Sequence, residues 1–560
     1  MSSDVALRAA GDITEPSGDP VLAVDDLSVG YQAGDTTTTA VRNISFALEP
    51  GQVLALVGES GSGKSTIGHA ILGLLPTGGR LLGGAVRYQG RTISDLPGRQ
   101  LRQLRGRAIS LIPQDPTVSL DPVRRVGAQV DDVLRLHTSL DTEARRTRVH
   151  ELLELVGFTD VERRYRQFPH ELSGGMRQRI LIAAAVAAEP DVIIADEPTS
   201  GLDATVQAQV LDLIDDLRRR SGTSVVLITH DLGVATDRSD LVGVLRDGRL
   251  TELAPTEAFV HNPRHDYSKH LLDNVPSRLS FTRERVGALP SEDVAPAVEV
   301  TNLSKLYGEH AAVDDISFTV GRGQTFSIVG ESGSGKSTTA RILTGLTRAT
   351  AGQVSLLGTD VGALSTPAFR PLRRDVQIVF QNPYASFDPR FDVLSVVEEP
   401  LRSFQTARFR RSHRRENRDR VVAALEAASL TASFLHRHPR ELSGGQRQRV
   451  AIARALVLEP KVVVLDEPVS ALDVSVQAQI LELLVTLQGE LGLTYVFISH
   501  DLAVVRAISD RVAVMRRGTI VEQGEIAQVF ESPASPYTAQ LLGAIAGRQL
   551  AARRPSKEHS

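Results

Sequence analysis

Gly58–Thr66 reads GESGSGKST, and Gly330–Thr338 reads GESGSGKST again, 272 positions further on. Each copy fits GxxxxGK[ST] and follows a short apolar run, VLALV or FSIV. A glycine-rich turn between a strand and a helix lets backbone N–H groups close around phosphates, with the Lys as a point charge and the hydroxyl on a divalent cation. The candidate phosphate ligands are Gly58, Ser60, Gly61, Gly63, Lys64, Ser65 and Thr66, and in the second copy Gly330, Ser332, Gly333, Gly335, Lys336, Ser337 and Thr338. A chance Gly/Ser-rich turn would not be repeated letter for letter.

The repetition runs well beyond these nine residues. PHELSGGMRQR (Pro169–Arg179) returns as PRELSGGQRQR (Pro439–Arg449), and EPDVIIADEPTSGLDATVQAQVLDL (Glu189–Leu213) as EPKVVVLDEPVSALDVSVQAQILEL (Glu459–Leu483), both 270 positions apart. LITHDL with His230 answers FISHDL with His500 at the same offset. Order and spacing held over halves of about 250 residues indicate a duplicated domain, since solenoid units run only about 20–50 residues.

The 560 residues are 41% hydrophobic and 23% charged, an ordinary composition for a chain with several packed layers. With no cysteine, disulfides, thiolate zinc sites and cysteine-ligated clusters are excluded. A net charge of −4 with interspersed signs lacks the basic field of a general nucleic-acid binder. The first residues show no basic start followed by an apolar run, and nowhere do 18 apolar residues stand together, so neither export nor a membrane span is expected.

Within each half, β-branched apolar runs stand directly before the special residues: VLALVG, AISLIPQ, DVIIADE and SVVLITH, then FSIVG, VQIVFQ, KVVVLDE and TYVFISH. Continuous rather than alternating runs predict strands covered on both faces, and helical stretches such as ATVQAQVLDLIDDLRRR between them predict a parallel α/β sheet in each half. Residues 115–170 and 382–440 are charged and helical in pattern, which predicts a separate helical subdomain. VIIADE and VVVLDE end in paired carboxylates, where Asp196 and Asp466 suit Mg²⁺ through water and Glu197 and Glu467 suit polarising a water molecule. His230 and His500 close apolar runs; a lone strand-end His is usually structural, but its recurrence at one distance from each SGG points to a γ-phosphate or water contact. Tyr31 and Tyr307 precede their P-loops by similar distances and either stack on adenine or belong to the core.

Taken in order, these motifs resemble the nucleotide-binding subunits of ATP-binding-cassette transporters, twice over and across nearly the whole chain. LSGGM (Leu172–Met176) and LSGGQ (Leu442–Gln446) resemble that family's signature motif, Gln114 and Gln381 its Q-loop, SGLD (Ser200–Asp203) and SALD (Ser470–Asp473) its D-loop. Met176 departs from the usual Gln, with Ser173, Gly174 and Gly175 intact. The resemblance implies two tandem P-loop ATPase domains, each α/β: a parallel-sheet core, an antiparallel β subdomain and a helical signature subdomain. It implies ATP and Mg²⁺ as ligands, with Gln114 and Gln381 joining Ser65, Asp196, Ser337 and Asp466 at the metal and sharing the catalytic role with the Glu and His residues. It also implies head-to-tail sites, in which Ser173, Gly174 and Gly175 complete the phosphate cage of one P-loop and Ser443, Gly444, Gly445 and Gln446 that of the other, with Asp203 and Asp473 at the dimer contact.

HNPRHDYSKHLL (His261–Leu272) and ESPASPYTAQLL (Glu531–Leu542) resemble the carboxy-terminal element of ATPases serving oligopeptide, dipeptide and nickel importers, the first copy more loosely. The boundaries expected are a disordered 1–19, a first cassette over 20–272, a linker over 273–296, a second cassette over 297–545 and a tail over 546–560. The implied partners are two membrane permease subunits at the cytoplasmic face of a bacterial membrane and, through the complex, an extracytoplasmic solute-binding protein; no nucleic acid is expected. A tandem-cassette translation factor is the alternative from another class, and a nickel or sugar importer ATPase the nearer one.

Overall fold

The computed structural model describes residues 19–279, 281, 295–361, 364–405, 413–470, 472–547 and 550. The chain divides into two compact units whose boundary in sequence lies between Lys269 and His270.

In the first unit, β1 (Leu22–Ala33), β2 (Thr36–Leu48), β4 (Gly79–Tyr88) and β5 (Arg91–Thr92) form an antiparallel sheet in the order β2-β1-β4-β5. The six-stranded sheet takes β3 (Val53–Val57), β6 (Ile109–Ile112), β7 (Val192–Asp196), β8 (Ser224–Ile228), β9 (Leu241–Arg246) and β10 (Arg249–Pro255) in the order β10-β9-β3-β8-β7-β6. Its strands are parallel except β10, which returns antiparallel as a hairpin on β9. Every residue of β3, β7 and β8 is buried. That is why their sequences are continuous apolar runs: both faces are covered, and each fully buried Val, Leu or Ile contributes about 1.5–3 kcal/mol. One core, including Leu22, Ile44, Leu54, Ile67, Val86 and Ile194, fills the space between the two sheets.

The second unit repeats this plan. β11 (Val298–Tyr307), β12 (His310–Val320), β14 (Ala351–Leu356) and β15 (Thr359–Asp360) give the order β12-β11-β14-β15. β13 (Thr325–Val329), β16 (Val376–Val379), β17 (Val462–Asp466), β18 (Thr494–Ile498), β19 (Arg511–Arg516) and β20 (Thr519–Glu525) give β16-β17-β18-β13-β19-β20. All eight apolar runs singled out in the sequence are strands, and each set is followed by an antiparallel hairpin, β9–β10 or β19–β20.

The charged segments after the Gln residues are helical. The first unit has helices Val126–His137, Thr142–Leu155 and Val161–Arg166 leading to Gly174–Val186; the second has Val393–Phe404 and Arg414–Ala427 leading to Gly444–Leu456. Short polar side chains open several of these: Asp141 accepts from the Ala144 N–H at 2.9 Å and Asp392 from the Ser395 N–H at 2.9 Å.

Apart from Asp19, the expected disordered amino terminus lies outside the described residues, as do 282–294 of the expected linker and most of 546–560. The linker's first residues are structured. Asp273 ends the helix Asp266–Asp273, Pro276–Arg278 forms a 3₁₀ turn against the helix Leu502–Ile508, and Leu279 and Phe281 pack on the apolar core of the second unit. Among the described residues no helix is long and apolar enough to cross a membrane.

Candidate active site

Each P-loop leaves the carboxyl end of the strand at which the sheet order changes direction, β3 or β13, where open α/β sheets bind ligands. Two glycines in each loop have no substitute. A Cβ on Gly58 would stand 2.2 Å from the Leu245 carbonyl oxygen, and one on Gly330 2.2 Å from that of Met515. Gly63 and Gly335, with φ of 102° and 106°, take the left-handed turn that opens the helices Lys64–Ile71 and Lys336–Leu343. Between them Ser60, Gly61, Ser332 and Gly333 are exposed, and Ser65, Thr66, Ser337 and Thr338 occupy the first helical turn.

Lys64 and Lys336 are 6% exposed. The Lys64 Nζ donates to the carbonyls of Gly58 (2.7 Å) and Glu59 (3.0 Å), that of Lys336 to Gly330 and Glu331, both at 2.7 Å. Burial lowers the Lys336 amine from its ordinary value, against the pull of Glu467 and other carboxylates. The ammonium is thus held over a concave, donor-rich loop by weak neutral acceptors, which a polyphosphate can replace with charge-assisted bonds.

Asp196 and Asp466 end β7 and β17, buried, and accept from Ser65 Oγ at 2.9 Å and Ser337 Oγ at 3.2 Å. Desolvation raises both carboxyls above their usual range, only partly offset by those serines. A half-buried hydroxyl bonded to a buried carboxylate whose charge is only partly compensated fits a hard divalent cation. No group of three or more His, Asp and Glu able to hold a metal occurs among the described residues, so such a cation would take its other ligands from phosphate and water.

The next residues, Glu197 and Glu467, sit at φ of 44° and 48°, a backbone position non-glycine residues rarely take. Their N–H groups donate to the carbonyls of Ile228 (2.8 Å) and Ile498 (2.9 Å) on the neighbouring strand, which fixes the turn. Each carboxylate is then bonded by a Gln and a His, through its two oxygens in Glu197 and through the single oxygen Oε2 in Glu467. Gln114 Nε2 donates to Glu197 Oε2 at 2.8 Å, and His230 Nδ1 lies 3.2 Å from Oε1; Gln381 and His500 stand 2.8 and 3.2 Å from Glu467. Burial works to raise both glutamates, but the histidine hydrogen bond and charge, with the P-loop Lys, hold them below the ordinary carboxylate range. Bonding to Glu197 raises His230, and Glu467 raises His500 against desolvation.

The histidines owe their placement to residues the motif reading passed over. Asp231 Oδ1 accepts from the N–H groups of Gly233 and Val234 (2.8 and 3.2 Å), and Asp501 Oδ1 from those of Ala503 and Val504 (2.9 and 3.2 Å). Each Asp caps the helix that follows the His, a signal present in THDL and SHDL as an acid just ahead of an apolar helix.

Ser173 and Ser443 are N-caps, accepting from Met176 N and Gln446 N at 3.3 Å, with exposed Gly174 and Gly444 at the helix start. A Cβ on Gly175 or Gly445 would come within 2.5 or 2.4 Å of a valine methyl. Tyr31 shares a 3.2 Å hydrogen bond with Thr66 Oγ1, whereas Tyr307 is 49% exposed with Lys305 Nζ 5.0 Å above its ring. Asp203 directly precedes the helix Ala204–Ser221, and Asp473 is the N-cap residue of Val474–Leu491.

The family model described as ABC transporter matches residues 41–200 and 313–470, taking in both P-loops, both signatures and both carboxylate pairs. The chain belongs to the ABC transporter family. Its two units are ABC ATPase domains, which bind and hydrolyse ATP. A second model, described as oligopeptide/dipeptide transporter, C-terminal region, matches 251–297 and 521–556. This ABC chain is 43% identical over 545 residues to the peptidoglycan transport ATP-binding protein YejF of Agrobacterium fabrum, covering 95% of this chain and 97% of that one. It is 40% identical to the oligopeptide transport ATP-binding protein OppD of Mycobacterium tuberculosis, covering 94% and 98%. To the glutathione import ATP-binding protein GsiA of Escherichia coli it is also 40% identical, covering 96% and 91%.

Proposed function

We propose that this protein is the ATP-hydrolysing subunit of an importer for dipeptides or oligopeptides, consuming Mg²⁺–ATP at a site based on each P-loop. The Gln and His contacts to the glutamate, at the same distances in both units, carry the hydrolytic part of this reading. The solute class is supported by the peptide-transporter C-terminal region after each ATPase domain and by three relatives named for peptidoglycan, oligopeptide and glutathione transport.

In this reading Lys64 and Lys336 exchange their two carbonyl acceptors for phosphate oxygens. Glu197 and Glu467, held ionised, orient and deprotonate the attacking water; His230 and His500 fix each carboxylate and offer a donor to the γ-phosphate. Gln114 holds the other oxygen of Glu197, and Gln381 donates to the same oxygen of Glu467 that His500 reaches. Mg²⁺ supplies neutralisation of phosphate charge, and Ser65 with Asp196, and Ser337 with Asp466, would hold it, joined by Gln114 and Gln381. The head-to-tail pairing of Lys336 with Ser173 and Lys64 with Ser443 belongs to this proposal on the family resemblance alone.

The importer reading assigns two membrane permease subunits at the cytoplasmic face of a bacterial membrane as partners. Affinity purification of the full chain from detergent-solubilised membranes should bring down two membrane-spanning subunits and Mg²⁺-dependent ATP turnover. Recovery with ribosomal particles and no membrane subunit would overturn it.

A further inference from the structure

The carboxy-terminal helix Pro536–Gly543 is anchored by a carboxylate and an arginine. Glu522 on β20 accepts from the N–H groups of Ala534 (2.8 Å) and Ser535 (3.0 Å), just ahead of the helix. At the end of β19 the Arg516 guanidinium lies 4.5 Å from the centre of the Tyr537 ring, and Tyr537 is 5% exposed. The first unit repeats the frame: Glu252 on β10 accepts from Arg264 N (2.9 Å) and His265 N (3.1 Å), and Arg246 lies 4.8 Å from the Tyr267 ring. Packing and the cation–π contact need only an aromatic ring.

The Tyr537 hydroxyl has a separate task. It accepts, at 3.4 Å, from the N–H of Glu331, the second residue of the P-loop. The other end of that same peptide unit, the Gly330 carbonyl, accepts from Lys336 Nζ at 2.7 Å. The unit has little room to tilt, because the Cα of Gly330 is pressed against the Met515 carbonyl, one residue before Arg516. Burial pushes the Tyr537 hydroxyl up to about 12, so it stays neutral across the physiological range.

We propose that Tyr537 is a positioning residue for the second ATP site: by holding the Gly330–Glu331 peptide it sets the pose from which Lys336 passes to phosphate, and so ties the C-terminal helix to nucleotide binding. This rests on the assignment of Lys336 as a nucleotide ligand and goes beyond it, since the C-terminal element gains a task inside its own ATPase domain.

The test uses the full chain, calorimetric titration with Mg²⁺–ADP and steady-state turnover. Tyr537→Phe, which keeps the ring, should weaken one of the two ADP sites about 3- to 10-fold and raise KM, while kcat at saturation and the melting profile stay put. Leu541→Ala, on the same helix but buried in the apolar core, should lower the melting temperature and leave ADP affinity unchanged. Tyr537→Phe added to Lys336→Ala should cost nothing further, because both act through one peptide unit. Wild-type affinity in Tyr537→Phe, an additive loss in the double variant, or an equal loss in Leu541→Ala would each overturn the proposal. If Lys336→Ala itself left both ADP sites intact, the nucleotide-ligand assignment would fall instead.

Discussion

The two ATPase units differ at the rim of the site and agree at its centre. Gln–Glu and His–Glu distances are 2.8 and 3.2 Å in both, because a strained glutamate backbone, a strand-to-strand N–H bond and an Asp-capped helix fix all three side chains. At the rim, Tyr31 is bonded to Thr66 while Tyr307 lies exposed under Lys305, and Gln446 closes a second hydrogen bond on its signature serine where Met176 cannot. Positions identical in the two copies reproduce the Gln–Glu and His–Glu distances; positions that differ, whether inside a motif as at Met176 and Gln446 or beside one as next to Tyr31 and Tyr307, decide how firmly each rim is held.

The sharpest challenge to equivalence at the centre is Glu197→Gln against Glu467→Gln. Removing both carboxylates should lower ATP turnover by about 10²- to 10⁴-fold with nucleotide binding retained. With the same Gln–Glu and His–Glu distances, though Gln381 and His500 share one oxygen of Glu467, the two single variants should fall to similar rates. A tenfold gap between the singles would show that matching distances do not make matching sites.

At the rim a smaller and unequal effect is expected. Tyr31→Phe removes the bond that pins the ring beside the P-loop and should weaken Mg²⁺–ADP binding at one site about 2- to 5-fold; Tyr307→Phe has no such bond to lose and should change nothing. Replacing either ring with Ala should cost about 2- to 10-fold if both stack on adenine. Equal losses in the two Phe variants, measured by calorimetry, would dissolve this part of the comparison.

Most of the centre was legible in the sequence. Continuous β-branched apolar runs ending in Gly, Gln, Asp-Glu and His predict the parallel sheet and put the motifs at its strand ends, while the antiparallel subdomain comes from the family resemblance. The rim was not legible, because Tyr31 and Tyr307 occupy matching places and differ through neighbours: Val29 and Gly30 on one strand, Lys305 and Leu306 on the other. The Tyr537–Glu331 bond joins residues 206 apart and leaves no local pattern. The stretch from Pro276 read as linker because it is polar and Pro-bounded, yet Leu279 and Phe281 supply enough apolar surface to dock it on the second unit's core.

The histidine bridges give a pH-dependent version of the comparison. His230 and His500 are raised above 6.5, so their contribution to stability is complete below about that pH and is lost as pH rises through the folded value. Glu197 and Glu467 are lowered below 4.5, so theirs is present above it and is lost as pH falls through the folded value. Both are in place between about pH 4.5 and 6.5. The melting-temperature gap between wild type and His230→Gln or His500→Gln should be widest there and should narrow above neutrality. It should be smaller for His230, whose side chain is 39% exposed against 31% for His500. A gap independent of pH would mean that the histidines act by packing alone.

The smallest effect comes from converting one signature into the other. In the second unit Gln446 Oε1 accepts from the Ser443 N–H at 3.0 Å while Ser443 Oγ accepts from the Gln446 N–H at 3.3 Å, a reciprocal capping box. In the first, Ser173 Oγ accepts from the Met176 N–H at 3.3 Å, and the thioether is too weak an acceptor to return the bond. Met176→Gln should therefore add about 0.5–1 kcal/mol to the first unit, with Gln446→Met losing as much from the second. For units of this size that corresponds to about 1–4 °C, readable by calorimetry on nucleotide-free protein. Because the serine hydroxyl and the glycine N–H groups are untouched, turnover should stay within about twofold of wild type. A stable Met176→Gln variant with turnover shifted tenfold would show instead that the methionine tunes the first signature's part in hydrolysis, and that the two rims differ in function as well as in firmness.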